Sequence, residues 1–144
     1  MKTLVVATIC LMLAGCGTYS ETQITTLKSS PKMIALGEFK GNDEGIAQLF
    51  ADTIAAKLSA NGFQIITDQN QADIVITGTC VYKMPGWLVG SSDWILMLKT
   101  KEGSILATQE YHHPRADLGW KFHQEIINEL SHRLIKFLQD AHNR

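Results

Sequence analysis

The chain has 144 residues, 45% of them hydrophobic and 19% charged, with 13 Lys and Arg against 14 Asp and Glu. That length suits one domain with a real core. Balanced charge argues against the basic field a nucleic-acid-binding protein needs, and no acidic tail is present.

Met1-Lys2 opens an apolar stretch over residues 4–13 that closes on Leu13-Ala14-Gly15-Cys16. A basic start, a short apolar run and small residues before a cysteine have the layout of an export signal, too short to span a bilayer as a mature helix. The run resembles the lipobox of bacterial lipoproteins. A plain secretory signal or an uncleaved anchor would share the Lys2 start and the apolar stretch, but neither needs the Leu-Ala-Gly-Cys ending. The resemblance implies that residues 1–15 are a signal peptide cut before Cys16. Cys16 would then carry a diacylglyceryl thioether and an N-acyl group. Three acyl chains, each contributing about 0.8 kcal/mol per buried CH2, hold far more firmly than one myristoyl group. Gly17 stands where enteric-type lipoproteins retained at the inner membrane have Asp. That implies the outer membrane, periplasmic face, with the membrane as partner through the lipid.

Residues 17–31 are rich in Ser, Thr and Gln without an apolar period, which reads as a polar tether after the lipidated cysteine (16–31). A flexible stretch of that length spans about 20 to 25 Å. Residues 33–39 (MIALGEF) form a strand candidate, followed by a loop over 40–43. Ile46, Leu49, Phe50, Ile54 and Leu58 then recur at helical spacing, with Asn42 or Asp43 as N-cap and Asn61-Gly62 as the stop. Residues 63–67 read as a strand, 68–71 as a polar turn and 72–82 (ADIVITGTCVY) as a long β-branched strand. Gly78 within it marks either a bulge or a close approach. Residues 94–100 and 105–111 flank Lys101-Glu102-Gly103-Ser104 as a hairpin. Phe122, Ile126, Leu130, Leu134, Phe137, Leu138 and Ala141 line one face of a final helix over about 118–142.

The order β-α-β-β-β-β-α predicts an α+β fold. It is a two-layer α/β sandwich, with a mixed sheet of four to five strands covered by two helices, in a single periplasmic domain over 32–144. Cys10 lies in the signal and Cys16 would be acylated, so Cys80 stands alone in the mature chain and no intramolecular disulfide is expected there. Cys80 sits in an apolar run with no flanking base or cation. It is expected as a packed core thiol, the alternative being a reactive or intermolecular one.

Four segments together carry a second resemblance: Ile-Ala-Leu-Gly-Glu-Phe (34–39), a helix ending in Leu-Ser-Ala-Asn-Gly-Phe (58–63), Gln-Ile-Ile-Thr (64–67) and Ala-Asp-Ile-Val-Ile-Thr-Gly-Thr (72–79). They look like the TolB N-terminal and CsgG type of periplasmic domain, in which an Asp opens a central strand ending in Gly, here Asp73 and Gly78. The resemblance covers residues 33–82 well and the remainder in element order. It implies a non-catalytic protein-interaction module in cell-envelope assembly or secretion, with an envelope protein as partner. A homo-oligomer is compatible with it. The chain is too short for the membrane-inserting hairpins of the channel former, and its expected tether is too short to cross the wall. A weaker likeness, in lipobox and element order only, is to the lipopolysaccharide-transport lipoprotein LptE. It implies the alternative of a lipid or glycolipid held between sheet and helices, with Trp94 and Trp120 as candidates for lining the cleft or for core packing.

Chemistry-bearing clusters are sparse. Of His112, His113, His123, His132 and His142, only His132 shares a helical face with Glu125 and Glu129, where a solvated face explains the set as well as a metal does. His112-His113-Pro114 reads as a loop with two ordinary histidines. Ser91 and Ser92 lie in no nucleophile-elbow pattern, and neither phosphate-loop template occurs. Neither catalysis, cofactor nor metal is expected. Met84-Pro85-Gly86-Trp87-Leu88-Val89-Gly90 is the informative connection. Either Trp87 and Leu88 fold back over the end of the core, or Trp87, Leu88 and Val89 form a contact tip for a partner protein or the lipid interface.

Overall fold

The computed structural model describes residues 17–27, 29–83, 91–114 and 120–141, with the side chains of 120–122 outside that description. Six strands form one sheet: β1 (Thr18–Gln23), β2 (Met33–Gly41), β3 (Gln64–Ile66), β4 (Ile74–Lys83), β5 (Ser91–Lys99) and β6 (Ile105–His113). Two helices, α1 (Glu44–Ala60) and α2 (Trp120–Asp140), complete the domain. The sheet order is β1-β6-β5-β4-β2-β3. Only the β2 pairings with β3 and β4 are parallel. The α+β class with two helices and a mixed sheet is as expected, and the sheet has one strand more than the upper count.

The extra strand is β1, and it corrects the tether. Thr18–Gln23 pairs antiparallel with β6 through six residues, from Thr18 opposite His112 to Gln23 opposite Ala107. Beyond it Ile24 and Thr25 both donate to the Leu106 carbonyl at 2.9 and 3.1 Å, Leu27 packs on the core and Pro31 is buried. The polar composition misled because an edge strand needs only one row of apolar contacts. Here that row is Tyr19, whose ring centroid lies 4.2 Å from that of Tyr111.

Local signals place α1 as the spacing predicts. Asp43, in extended conformation, accepts from the Ile46 amide at 3.0 Å as N-cap. The helix stops at Asn61, and Gly62 follows at φ +87°. Its buried residues Ala47, Phe50, Ile54 and Leu58 face the sheet. The expected strand over 33–39 runs on to Gly41, and Asn42 continues its pairing with a side chain. The Asn42 Nδ2 donates to the Tyr82 carbonyl at 2.6 Å while its Oδ1 accepts from the Tyr82 amide at 3.0 Å. The amide group thus reproduces one more rung of the β2–β4 ladder. At the other hairpin, Thr100 N–H donates to the Ser104 carbonyl at 2.8 Å and Gly103 adopts φ +92°.

Both helices cover one sheet face. Along β5 the alternation is strict: Ser92, Trp94, Leu96 and Leu98 are buried beneath the helices, and Ser91, Asp93, Ile95, Met97 and Lys99 lie half-exposed on the other side. α2 contributes Ile126, Leu130, Leu134 and Leu138 as its expected stripe, and buries Ile127 and Ile135 as well. The stripe is wider than the sequence pattern because α2 touches both the sheet and α1.

Gly78 is a close approach. A Cβ there would overlap the Phe39 ring, which lies across its Cα, and would meet Phe50 at 3.0 Å. The register irregularity sits instead on the partner strand, between Leu36 and Phe39. Gly78→Ala is therefore expected to cost about 1 to 3 kcal/mol by overpacking, measured as a lower urea midpoint. In a Phe39→Leu background the penalty should shrink, and an unchanged penalty would place the strain elsewhere.

Candidate functional site

Three places could carry function: the N-terminal start of β1, the end of the sheet where β4 hands over to β5, and the sheet face opposite the helices. Cys16 lies outside the described residues. Gly17, the next residue, does not hang free, because a Cβ on it would overlap the ring of Tyr111. Tyr111 is itself buried, stacked on Tyr19 and 6.1 Å from the ring of His113. The Arg133 guanidinium lies 4.4 Å from the Tyr19 ring centroid, held by Glu129 Oε1 at 2.7 Å, so α2 clamps β1 from the helix side. Glu21 adds a hydrogen bond from Gln109 Nε2 at 2.8 Å. Its place over Tyr111 gives Gly17 a packing role.

Trp87, Leu88 and Val89 lie outside the described residues. Their flanks, Lys83 and Ser91, are direct cross-strand partners at the end of β4 and β5. Thr18 and His112 pair at that same end, as do Ser92 and His113. The start of β1 and the flanks of this apolar connection therefore share one end of the sheet.

On the bare face, Thr18, Ser20, Val81, Lys83, Asp93, Ile95, Glu110 and His112 surround an open concavity of about 370 Å³. Asp93 is its centre of charge, with His112 Nδ1 at 2.6 Å from one oxygen and Lys83 Nζ at 3.6 Å from the other. This arrangement orients an imidazole and balances a carboxylate. Among the described residues no hydroxyl or thiol is hydrogen-bonded to that imidazole.

The histidines are distributed differently from the expected loop. His112 and His113 both lie within β6, on opposite faces, because the strand continues to residue 113. His112 is exposed beside Asp93 and His113 is buried. His123 is buried on α2, with the Tyr82 and Trp94 rings at 5.1 and 5.9 Å, and burial lowers its pKa. On the α2 face, Glu129 is paired with Arg133, and among the described residues no three His, Cys, Asp or Glu side chains group as metal ligands. His142 is outside the described residues.

Cys80 is a core thiol, fully buried opposite Trp94, and burial pushes its pKa up to about 11. Trp94 is fully buried as well, edge-on to Phe50 at 5.3 Å and to Tyr82 at 5.8 Å, which makes it core rather than cleft lining. The side chain of Trp120 is not among those described. No helix of the described residues is long and apolar enough to cross a membrane.

Asp73, the residue at the strand entrance, has a structural task. Its Oδ2 accepts from the backbone amides of Lys32 and Met33 at 2.8 and 2.9 Å, which docks the start of β2 beside the start of β4. Sequence reading found the residue but not these partners, which lie about 40 positions away.

No protein-family model matches the chain, and no curated protein matches it. Solved structures do. A single-substitution variant of the PelC dodecamer from Paraburkholderia phytofirmans superimposes with TM-score 0.61 at 14% identity, over 86% of this chain and 98% of that one. A second crystal form of the PelC dodecamer gives 0.57 at 15% identity, with the same coverage. A DUF4136 family protein from Bacteroides thetaiotaomicron gives 0.61 at 10% identity, over 83% of this chain and 96% of that one. At these identities the likeness establishes a shared fold.

The two amide hydrogen bonds hold the Asp73 carboxyl below the usual carboxylate range. A depressed folded pKa stabilises the fold above the unfolded pKa, and this contribution fades as pH falls through the folded value. Asp73→Ala should cost about 1 kcal/mol at neutral pH, at the low end for charged hydrogen bonds because the group is solvent-exposed. The gap between wild type and variant in urea unfolding should narrow only below about pH 4. A gap independent of pH down to acid unfolding would show that the charge is not what matters.

Proposed function

We propose that this chain is a lipid-anchored protein of the outer membrane's periplasmic face, acting without catalysis by protein contact in envelope assembly or secretion, and doing so as an assembly of identical copies. The lipobox ending in Cys16 supports the anchor. The observation that carries the assembly is the fold shared along nearly the whole length of PelC, whose structures are dodecamers. A sheet whose two helices both lie on one face, leaving the other open over β5 and β6, supports it further. Val81, Ile95 and Met97 sit half-buried there among the side chains of Thr79 and Thr108, a mixed surface of the kind non-obligate interfaces use.

A lipid carrier that holds its ligand between the layers is the less favoured reading. The space between sheet and helices is filled by Trp94, Phe50, Ile54, Leu130 and Leu134, each fully buried.

Native mass spectrometry of the full protein, extracted from membranes in mild detergent, is expected to give a closed multiple of an acylated protomer. A monomer at every concentration would remove the assembly. Bound lipid in stoichiometric amount beyond the covalent acyl chains would favour the carrier. Replacing Cys16 by Ser should abolish both the acyl mass and the membrane association.

A further inference from the structure

We propose that the anchored domain has no tether, and that the end of its sheet carrying Lys83, Ser91 and Pro114 is held against the phospholipid headgroups. The proposal rests on the lipid-anchor reading above and adds to it an orientation and a contact surface.

The argument starts from Gly17. Its Cα lies over the Tyr111 ring with no room for a side chain, so the chain is already part of the packed domain one residue after Cys16. One residue is about 3.8 Å of chain. Immediately afterwards β1 is secured along its whole length by six paired residues, the Tyr19–Tyr111 stack, the Arg133 guanidinium over Tyr19 and the Gln109–Glu21 hydrogen bond. A free tether of some fifteen residues would require all of these contacts to be lost together. The acylated Cys16 must place its glycerol at the boundary of headgroups and acyl chains, so Gly17 stays within about 10 Å of that boundary.

Sheet register then states which other residues share that level. Thr18 stands opposite His112, Ser92 opposite His113 and Lys83 opposite Ser91, and Pro114 follows His113. Both helices start from this end, since α1 follows β2 through Asn42 and α2 follows β6. The β5–β6 turn at Gly103 lies at the opposite end, a strand of nine residues away, or about 30 Å. Rotation about the bonds of Cys16 can tilt the domain, and because β4 stands three strands from β1 it moves Lys83 by no more than about 15 Å, half the distance to the Gly103 turn. Lys83 is 68% exposed there and its ammonium, 3.6 Å from Asp93, is within reach of lipid phosphates. The helix-free face and its concavity consequently stand side-on to the bilayer, open to a neighbour in the plane of the membrane.

The test uses the full acylated protein returned to vesicles of phosphatidylethanolamine and phosphatidylglycerol that contain headgroup-spin-labelled lipid. A fluorophore is attached to a cysteine introduced as Ser91→Cys or as Glu102→Cys. Cys80 stays unlabelled because it is fully buried. Quenching at position 91 is expected to exceed that at position 102 several-fold. Inserting about ten Gly and Ser residues between Gly17 and Thr18 creates a flexible tether and should bring the two positions level. Equal quenching in the uninserted protein, with the acyl mass verified, overturns the orientation and leaves the anchor standing. An intact mass without acyl chains overturns the anchor itself, and the orientation with it.

Discussion

The packing of Trp94 is the interaction on which the rest of the molecule depends. Its indole, fully buried at the middle of β5, meets Phe50 of α1, Tyr82 of β4 and His123 of α2 with ring centroids 5.3, 5.8 and 5.9 Å away. One side chain thus joins both helices to the sheet. Aromatic pairs in edge-to-face geometry contribute about 0.5 to 1.5 kcal/mol each beyond their buried area. Cross-strand neighbours extend the row, with Cys80 on one side and Tyr111, then Tyr19, on the other. Tyr111 in turn receives Gly17, so the core reaches from the central indole to the first described residue of the chain.

Two helices cover one face of the six-stranded sheet. The opposite face carries a small second cluster of Ala35, Ala72 and Val75, with Ile66 against it, at its β2–β4 side, and is open over β5, β6 and β1. Threonine and serine hydroxyls alternate across strands with half-buried Val81, Ile95 and Met97, and a balanced cluster of Lys83, Asp93 and His112 sits toward one end. Such a surface can be solvated or can be covered by another molecule at small cost.

The legible parts of the fold were those written in local periodicity. The helix over α1, with its Asp43 cap and Gly62 stop, could be read from five apolar positions and two flanking residues, since capping and φ preference are local physics. The ADIVITG strand and the hairpin at Gly103 were legible for the same reason. What could not be read was β1. Thr-Tyr-Ser-Glu-Thr-Gln has little hydrophobic signal, and its stability lies in Tyr111, Gln109 and Arg133, all more than 80 positions distant. The end of β6 was misjudged on similar grounds. His112 and His113 look like loop residues until β5 and β1 supply the ladder that pairs them.

The sequence by itself determined the α+β class, two amphipathic helices and a core cysteine, because each depends on residue type and spacing alone. Tertiary structure decided the strand order, the sixth strand, the partners of Asp73 and Asn42, and the absence of slack between Gly17 and the folded body. Those features rest on contacts between residues distant along the chain, and no local pattern records which distant group a polar side chain or a glycine will meet.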